Sequence, residues 1–221
     1  MSDNTTAHKA DEYEAEVHKT IPFHDEILRT AIDVVLASKP DLKRWLDTGC
    51  GPGKLVELAR ERAPRVDYAL ADPSAAMVAI AKARHPGIEA WTCGSADLPD
   101  AEPFDAITAV LCHHYLDAET RLKSVERCRD RLAPGGVLVV FENVRAETDA
   151  GHALQRKRWG DYQRRMGRDD AGVAAQQARE GTAFFPIRVS EHLELFARLG
   201  LANVEIVWRA YGQAGFFAQR K

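Results

Sequence analysis

Residues 45–54, with the sequence WLDTGCGPGK, constrain the fold more than any other part of the chain. An apolar segment ends in Asp47, and three glycines follow at alternate positions, Gly49, Gly51 and Gly53. A helical apolar pattern begins directly afterwards, so the segment predicts a strand, a tight turn and a helix. Glycines permit a sharp turn close to a ligand, and free N–H groups at a helix start favour a polar or anionic group. We therefore predict a nucleotide-type cradle, with Asp47 placed to accept hydrogen bonds from a cationic amine.

Two better-known glycine loops do not fit this turn. A dinucleotide-binding G-x-G-x-x-G sequence would need its third glycine where the chain has Lys54. A Walker phosphate loop would need glycine at Thr48 and a hydroxyl residue at Leu55. A glycine turn that serves only the fold stays open as an alternative.

Size and charge limit the class of protein. The 221 residues suffice for one domain with a full core and a small insertion. A hydrophobic content of 45% is ordinary for a soluble globular protein. The net charge of -3 lacks the basic excess of a dedicated nucleic-acid-binding protein, although it does not exclude a local RNA-binding patch.

The cysteines and the apolar runs bear on the compartment. The four cysteines form no C-x-x-C pair and have no histidine at metal-ligand spacing, so we expect neither a disulfide framework nor a zinc site. A reduced, cytoplasmic location follows from that expectation. The first eleven residues contain no apolar leader, and no apolar run reaches the roughly 18 residues that span a bilayer, so we expect no membrane association.

Strand and helix patterns alternate along the chain. Residues 1–10 are predicted to be disordered. Helices are predicted at 11–19, 25–38, 75–83 and 118–132. Beyond the strand that ends in Asp47, further strands are predicted at 65–71, 88–92, 104–111 and 137–141. A breaker cluster at 133–136 separates the last of these helices from the fifth strand. Five alternations predict a doubly wound sheet.

Residues 144–185 interrupt this alternation with a helical insertion rich in arginine. It is either a solvated insertion that packs its aromatic side chains on the domain or a lid with a basic face for an anionic substrate or RNA. A last helix, 190–199 with Ser190 as N-cap, precedes a hairpin of residues 203–208 and 214–218. We divide the chain into a tail with cap helices (1–40) and a main domain (41–221) that carries the insertion at about 144–185.

Two aspartates follow predicted strands. Asp72 lies about 20 residues past the glycine turn, where nucleotide-binding folds place a carboxylate for the ribose hydroxyls. Capping of the next helix by Asp72 or Ser74 is an alternative that is compatible with this role. Asp97 lies in the turn after the third strand, and an ordinary turn aspartate is an equally good interpretation there.

Three histidines are candidates for proton transfer because the ordinary pKa of histidine suits that work. His113 and His114 follow the fourth strand, at the edge where open α/β sheets bind ligands. In an extended segment their side chains would point in opposite directions, so at most one would face a given pocket; both could also be core or loop histidines. His24 follows the helix break at Pro22, and an exposed residue at a helix start is the simpler expectation.

Five segments in order resemble the class I S-adenosylmethionine (SAM) methyltransferases: LDTGCGPGK, ADPS, CGSADLP, FDAITAVL and LAPGGVLVVFEN. The resemblance implies an α/β fold, a doubly wound seven-stranded Rossmann-like sheet with a terminal antiparallel β-hairpin and a helical insertion after strand 5. It implies SAM as the cofactor, with its methionine part at the glycine turn, its ribose at Asp72 and its adenine at Asp97. The residues that it implies for cofactor binding are Asp47, Gly49, Cys50, Gly51, Gly53, Asp72, Pro73, Met77, Ala96, Asp97 and Leu111.

A narrower likeness covers the sequence IPFH, the insertion and the GFFAQRK ending, which are similar to the carboxy-SAM synthase branch of tRNA wobble-uridine modification. The chain departs from that branch in two places: His24 replaces a tyrosine, and Gly-Pro-Gly replaces a Ser-Leu-Gly-type turn. Arg179 is the nearest candidate for that branch's carboxylate-binding arginine.

We predict an enzyme that moves a methyl group from SAM to an N, O or S atom of a small molecule, with His113, His114 or His24 as proton acceptor and no catalytic metal. The first alternative is a carboxy-SAM synthase-like enzyme or RNA methyltransferase, favoured if the arginines of the insertion form one surface stripe. The second is a non-catalytic SAM-binding protein, favoured if side chains such as Trp159 or Phe184 fill the substrate pocket. A monomer and a homodimer are both compatible with the sequence.

Overall fold

The computed structural model describes Ala10 and residues 12–221. The strands are β1 (Arg44–Thr48), β2 (Asp67–Asp72), β3 (Glu89–Thr92), β4 (Phe104–Val110), β5 (Leu132–Asn143), β6 (Ala202–Ala210) and β7 (Gln213–Gln219). The helices are α1 (Tyr13–Thr20), α2 (His24–Ser38), α3 (Lys54–Arg62), α4 (Ala75–Arg84), α5 (Ala118–Arg131), α6 (Asp149–Arg165), α7 (Asp170–Ala178) and α8 (Val189–Arg198). The predicted disordered tail lies almost wholly outside the described residues. No helix in the described part of the chain is long and apolar enough to cross a membrane.

The seven strands form one sheet in the order β3-β2-β1-β4-β5-β7-β6. Strands β1 to β5 run parallel, and β7 runs antiparallel to both β5 and β6. The chain winds outward from β1 to β3 and then returns to place β4 on the other side of β1. Folds of this kind bind ligands beside such a switch point, outside the carboxyl ends of the strands. The predicted doubly wound, seven-stranded sheet with a terminal hairpin is confirmed.

Helices cover both faces of the sheet. Trp45 of β1 belongs to the apolar layer that includes residues of α2 and α3, whereas its neighbour Leu46 belongs to the layer beneath α5 and α8. Because both faces are buried, the central strands read in the sequence as nearly continuous apolar runs.

The start of β5 differs from the prediction. The breaker cluster at residues 133–136 lies inside this strand, which begins at Leu132 and pairs there with Phe104 of β4. The pairing register then shifts between Phe104 and Ala106, and Gly135 adopts a left-handed φ of 71°. A local irregularity in the ladder therefore absorbs the glycines without ending the strand.

The N-cap predicted for α8 is also wrong. Ser190 lies inside the helix, which starts at Val189, and its hydroxyl donates to Glu147 at 2.7 Å. The carboxylate of Glu191 accepts from the backbone N–H of Arg188 at 2.6 Å, so this reciprocal bond stabilises the helix start instead.

The insertion holds α1 against the domain. Trp159 Nε1 donates to the carbonyl of Thr20 at 2.7 Å, and the Tyr162 hydroxyl donates to the carbonyl of His18 at 2.6 Å. Arg168 donates to the Thr20 hydroxyl at 2.9 Å. Three side chains of one segment therefore fix the last turn of α1.

The glycine turn depends on a close approach between two segments that follow β1 and β4. A Cβ atom at Gly49 would lie 2.3 Å from Cβ of Cys112, and the φ of Gly49 is 65°. A Cβ atom at Gly51, where φ is 53°, would meet nothing within 4 Å. Conformation requires glycine at both positions, but close packing requires it only at Gly49.

We expect Gly49→Ala to lower the free energy of unfolding by about 3 kcal/mol or more, because steric overlap adds to the left-handed backbone cost. The matched control Gly51→Ala should lose only the backbone cost, about 1 to 2 kcal/mol. Urea denaturation of both variants measures the difference. Equal losses would contradict the close approach to Cys112.

Candidate active site

Asp72 ends β2 beside the glycine turn and is buried. Its Oδ2 accepts from the N–H of Gly51, and its Oδ1 accepts from the N–H of Ser74, both at 2.9 Å. The Ser74 hydroxyl accepts from the N–H of Met77 at 3.2 Å and so caps α4. Ser74 is thus the cap that the sequence left open, while the carboxylate of Asp72 closes the turn.

Asp47 ends β1 as a buried carboxylate. Its Oδ1 accepts from the Thr108 hydroxyl at 2.7 Å. Burial raises the pKa of Asp47 to about 7; the hydrogen bond from Thr108 opposes this shift, and the charge of Asp72 adds to it. Among the described residues no cationic side chain forms an ion pair with Asp47. A cation bound beside it would therefore stabilise its ionised form.

Two neighbouring cavities open at the carboxyl ends of the strands. The glycine-turn cavity is lined by Tyr13, His24, Leu28, Asp47, Gly49, Cys50, Gly51, Pro52, Lys54, Leu55, Val110 and Leu111. The inner cavity is lined by Tyr13, Val17, Thr20, Ile21, Leu111, His114, Tyr115, Asn143, Gln176 and Phe184. Tyr13 and Leu111 line both, so these two side chains form the boundary between the cavities.

Leu111 holds its place through an unusual backbone conformation. Its φ is 56°, in the left-handed region that costs a non-glycine residue roughly 1 to 2 kcal/mol. Its N–H donates to the carbonyl of Phe141 at 2.7 Å, which fixes this conformation against β5. Backbone strain of this kind is concentrated at functional sites.

The two adjacent histidines lie in a 3-10 turn, His113–Tyr115, so the predicted extended segment is wrong. Glu142, fully buried in β5, holds this turn. Its carboxylate accepts from the N–H of His113 at 3.0 Å and from both the N–H and Nδ1 of His114 at 2.7 Å. Burial alone would raise the pKa of Glu142, but the hydrogen bond from His114 opposes it, and the pKa lies below its ordinary value.

The hydrogen bonds around His114 assign its tautomer. Asn143 Oδ1 accepts from Gln213 Nε2 at 2.9 Å, so the Asn143 amide donates to Nε2 of His114, also at 2.9 Å. The ring therefore carries its proton on Nδ1, towards Glu142, and a lone pair on Nε2. His114 also lines the inner cavity, where a neutral, oriented imidazole can accept a proton.

The other two histidines differ from His114. His113 Nε2 lies 2.8 Å from the Ser95 hydroxyl, burial lowers its pKa, and it lines neither cavity. His24 is only 7% exposed, so the expectation of an exposed helix-start residue is wrong. Burial lowers the pKa of His24 to about 4, and its side chain lines the glycine-turn cavity.

The structure brings part of the predicted cofactor set together. Asp47, Gly49, Cys50, Gly51 and Leu111 line the glycine-turn cavity, and Asp72 is hydrogen-bonded to Gly51. The remaining predicted residues line neither cavity: Gly53, Pro73, Met77, Ala96 and Asp97. Met77 is buried, whereas Asp97 is exposed in a second 3-10 turn.

Sequence reasoning missed Tyr13, Glu142 and Asn143. Glu142 could have been predicted from the sequence, since it is an acid at the end of an otherwise apolar strand. The sequence offers no such signal for Tyr13 and Asn143, because their positions depend on how α1 and β5 pack around the inner cavity.

The basic side chains of the insertion have several partners. Arg156 pairs with Glu180 at 2.7 Å and Arg164 with Asp170 at 2.6 Å, whereas Arg158 and Arg165 both contact Tyr211. Phe184 lines the inner cavity without filling it.

A family model described as a methyltransferase domain matches residues 46–138. Carboxy-S-adenosyl-L-methionine synthase of Nautilia profundicola is 25% identical over 206 residues, covering 91% of this chain and 88% of the relative. Trans-aconitate 2-methyltransferase of Rhizobium etli is 36% identical over 120 residues, covering 53% of this chain and 46% of the relative. The solved structure of CalS10, an amino pentose methyltransferase from Micromonospora echinaspora, aligns with a TM-score of 0.65 and 24% identity over 95% of this chain and 96% of that chain.

We expect Asp47→Asn to stabilise the ligand-free protein. The pKa of Asp47 is 3.8 in the unfolded chain and about 7 in the folded protein. Between pH 3.8 and about 7 the folded state therefore keeps a proton that the unfolded state has released, and the stability of the wild type falls as the pH rises through this range. The variant lacks this loss, which amounts to at most about 4 kcal/mol.

Thermal unfolding from pH 4 to 8.5 measures this effect. The advantage of Asp47→Asn should grow up to a pH of about 7 and stay constant above it. A variant that is less stable than wild type at pH 8 would contradict the account of Asp47 as a buried carboxylate without a cationic partner.

Proposed function

Because the chain belongs to the class I SAM-dependent methyltransferases, we propose that it methylates an N, O or S atom of a small molecule bound in the inner cavity. Its cofactor is SAM. One observation carries the proposal: the cavity beside Asp47 and the cavity beside His114 meet at Tyr13 and Leu111. A methyl donor in the first and an acceptor in the second would be neighbours.

The residues at the glycine turn fit the donor. Asp47 is a buried acid without a cationic partner among the described residues, which suits the ammonium group of a methionine moiety. A Cβ at Gly51 would meet nothing within 4 Å, so the backbone there borders open space. Asp72 accepts hydrogen bonds from two backbone N–H groups at the glycine turn, and a carboxylate at the end of this strand is where nucleotide-binding folds hold the ribose hydroxyls.

When bound, SAM supplies a methyl group on a positively charged sulfur that is open to in-line attack. The chain's own contribution is then to hold the acceptor in near-attack geometry and to exclude water, which saves the most activation free energy in such a displacement. Tyr13, Val17 and Thr20 of α1 and Phe184 of the insertion enclose the inner cavity for this purpose.

His114 is the proton acceptor that we assign. A neutral amine or hydroxyl acceptor loses a proton as it is methylated, and the lone pair on Nε2 of His114 can take it. Glu142 holds Nδ1–H and stabilises the cation that results. The Asn143 amide donates to this Nε2, so it must first turn to free the lone pair, and its oxygen can then accept from the new N–H. A thiolate acceptor needs no such base.

A second candidate is carboxy-SAM synthesis. It is supported by relatives that cover most of the chain and by the position of Arg179, which lies close to two residues of the inner cavity. Arg179 donates a hydrogen bond to Gln176 at 3.4 Å. It also acts on Tyr115: burial raises the pKa of Tyr115 to about 12, and the positive charge of Arg179 opposes that shift. Mass spectrometry of the cofactor released from purified protein separates the candidates: S-adenosylhomocysteine supports methyl transfer, and carboxylated SAM supports the synthase.

Calorimetric titration with S-adenosylhomocysteine tests the cofactor site. We expect micromolar binding that Asp72→Asn weakens at least about tenfold, because the variant loses a charged hydrogen-bond acceptor. The control Asp41→Asn removes an exposed acid and should bind as wild type. Absence of binding to wild type, or equal binding by Asp72→Asn, would contradict the site.

A pair of variants tests the proton acceptor once a screen of amines, small acids and thiols has found a substrate. For an amine or hydroxyl acceptor, His114→Gln should lower kcat about a hundredfold or more with little change in S-adenosylhomocysteine affinity. Glu142→Gln should lower kcat and shift the pH profile, because Glu142 acts only through His114. An unchanged kcat in His114→Gln would exclude this role, and His152→Gln is the control histidine.

A further inference from the structure

The break between α1 and α2 brings two histidines and an aspartate together. His18 lies on the last turn of α1, and His24 and Asp25 begin α2. Phe23, with a left-handed φ of 58°, reverses the chain between them. One ring nitrogen of His18, one ring nitrogen of His24 and one carboxylate oxygen of Asp25 all lie within 4.8 Å of one another. Three donor atoms from two helices therefore converge on one point.

One of these donors is buried without a partner. Nδ1 of His24 forms no hydrogen bond with any described residue, although the residue is only 7% exposed. Oδ1 of Asp25 lies 3.7 Å from this nitrogen, too far for a hydrogen bond. Buried polar atoms are nearly always satisfied, so an unpartnered ring nitrogen that faces a carboxylate indicates a missing ligand.

We propose that His18, His24 and Asp25 bind a divalent transition-metal ion of the zinc or nickel class. Two imidazoles and one carboxylate form a donor set that suits these borderline ions, and water would complete the coordination. Metal–nitrogen bonds of about 2.0 to 2.1 Å place tetrahedral ligand atoms about 3.3 Å apart. Oδ1 of Asp25 lies 3.9 Å from Nε2 of His18 and 3.7 Å from Nδ1 of His24, so each of these two distances is within roughly half an ångström of that spacing.

Solvent can reach the site, because the side chains of His18 and Asp25 are 43% and 52% exposed. These two exposed side chains can move towards the buried nitrogen of His24 without disturbing the core. The other group of potential ligands in the described part of the chain, Cys112, His113 and Glu142, is less suited, since Glu142 already accepts three hydrogen bonds from the 3-10 turn.

A metal ion at this point would join α1 to α2. Tyr13, Val17 and Thr20 of α1 line the inner cavity, so the ion would stiffen one wall of that cavity. This site could not be predicted from the sequence, because the spacing of His18 and His24 matches a metal site only when the chain reverses at Phe23. This inference stands independently of the reaction proposed above.

Untagged protein titrated with Co²⁺ and with Zn²⁺ tests the proposal, with visible absorption and calorimetry as readouts. We expect one ion per chain, and at least tenfold weaker binding in His18→Gln and in Asp25→Asn. Both substitutions change exposed side chains, so circular dichroism should show an unchanged fold. His152→Gln, which changes a histidine of the insertion, is the matched control and should bind as wild type.

Hydrogen exchange adds a readout of the link between the helices. Zn²⁺ should slow exchange in residues 13–20 of wild type and leave His18→Gln unchanged. No saturable binding, equal affinity in His18→Gln, or binding that is lost only in Cys112→Ser would overturn the assignment.

Discussion

The contact between Gly49 and Cys112 is the constraint on which the site depends. Strands β1 and β4 run parallel in a register that pairs Asp47 with Thr108, and the same two residues share the buried hydrogen bond. The segments that leave these strands must then pass each other with almost no room for a side chain at position 49. This close packing keeps the carboxylate of Asp47 at the switch point between β1 and β4, with the glycine turn beside it.

The second half of the site is organised by another buried carboxylate. Glu142 accepts three hydrogen bonds from the turn after β4 and thereby orients His114 towards the inner cavity. Burying an ionised carboxylate costs several kcal/mol unless it is paired and hydrogen-bonded. Of the buried acids, Glu142 is satisfied by hydrogen bonds from the protein, whereas Asp47 has no cationic partner among the described residues. That difference separates a positioning residue from a residue that is suited to a cationic ligand.

The sequence was sufficient for the sheet and for its switch point. Apolar runs, the glycine turn and the breaker residues depend on the local sequence, and they predicted all seven strands, with the largest boundary error at the start of β5. Predictions failed where distant segments decide the outcome. His24 is buried because α1 packs over it, the histidines after β4 turn because Glu142 holds them, and the glycines at 135 and 136 stay inside β5 because the ladder tolerates a register shift. The inner cavity was beyond prediction for the same reason, since α1, β5 and the insertion each supply a wall.

A crystal structure of the complex with S-adenosylhomocysteine tests the central claim most directly. The account predicts the amino group of the ligand hydrogen-bonded to Asp47, its ribose hydroxyls at Asp72, and its sulfur beside Leu111, facing the cavity that His114 lines. A ligand that binds elsewhere, or one whose sulfur points away from the inner cavity, would contradict the pairing of the two cavities as donor and acceptor sites.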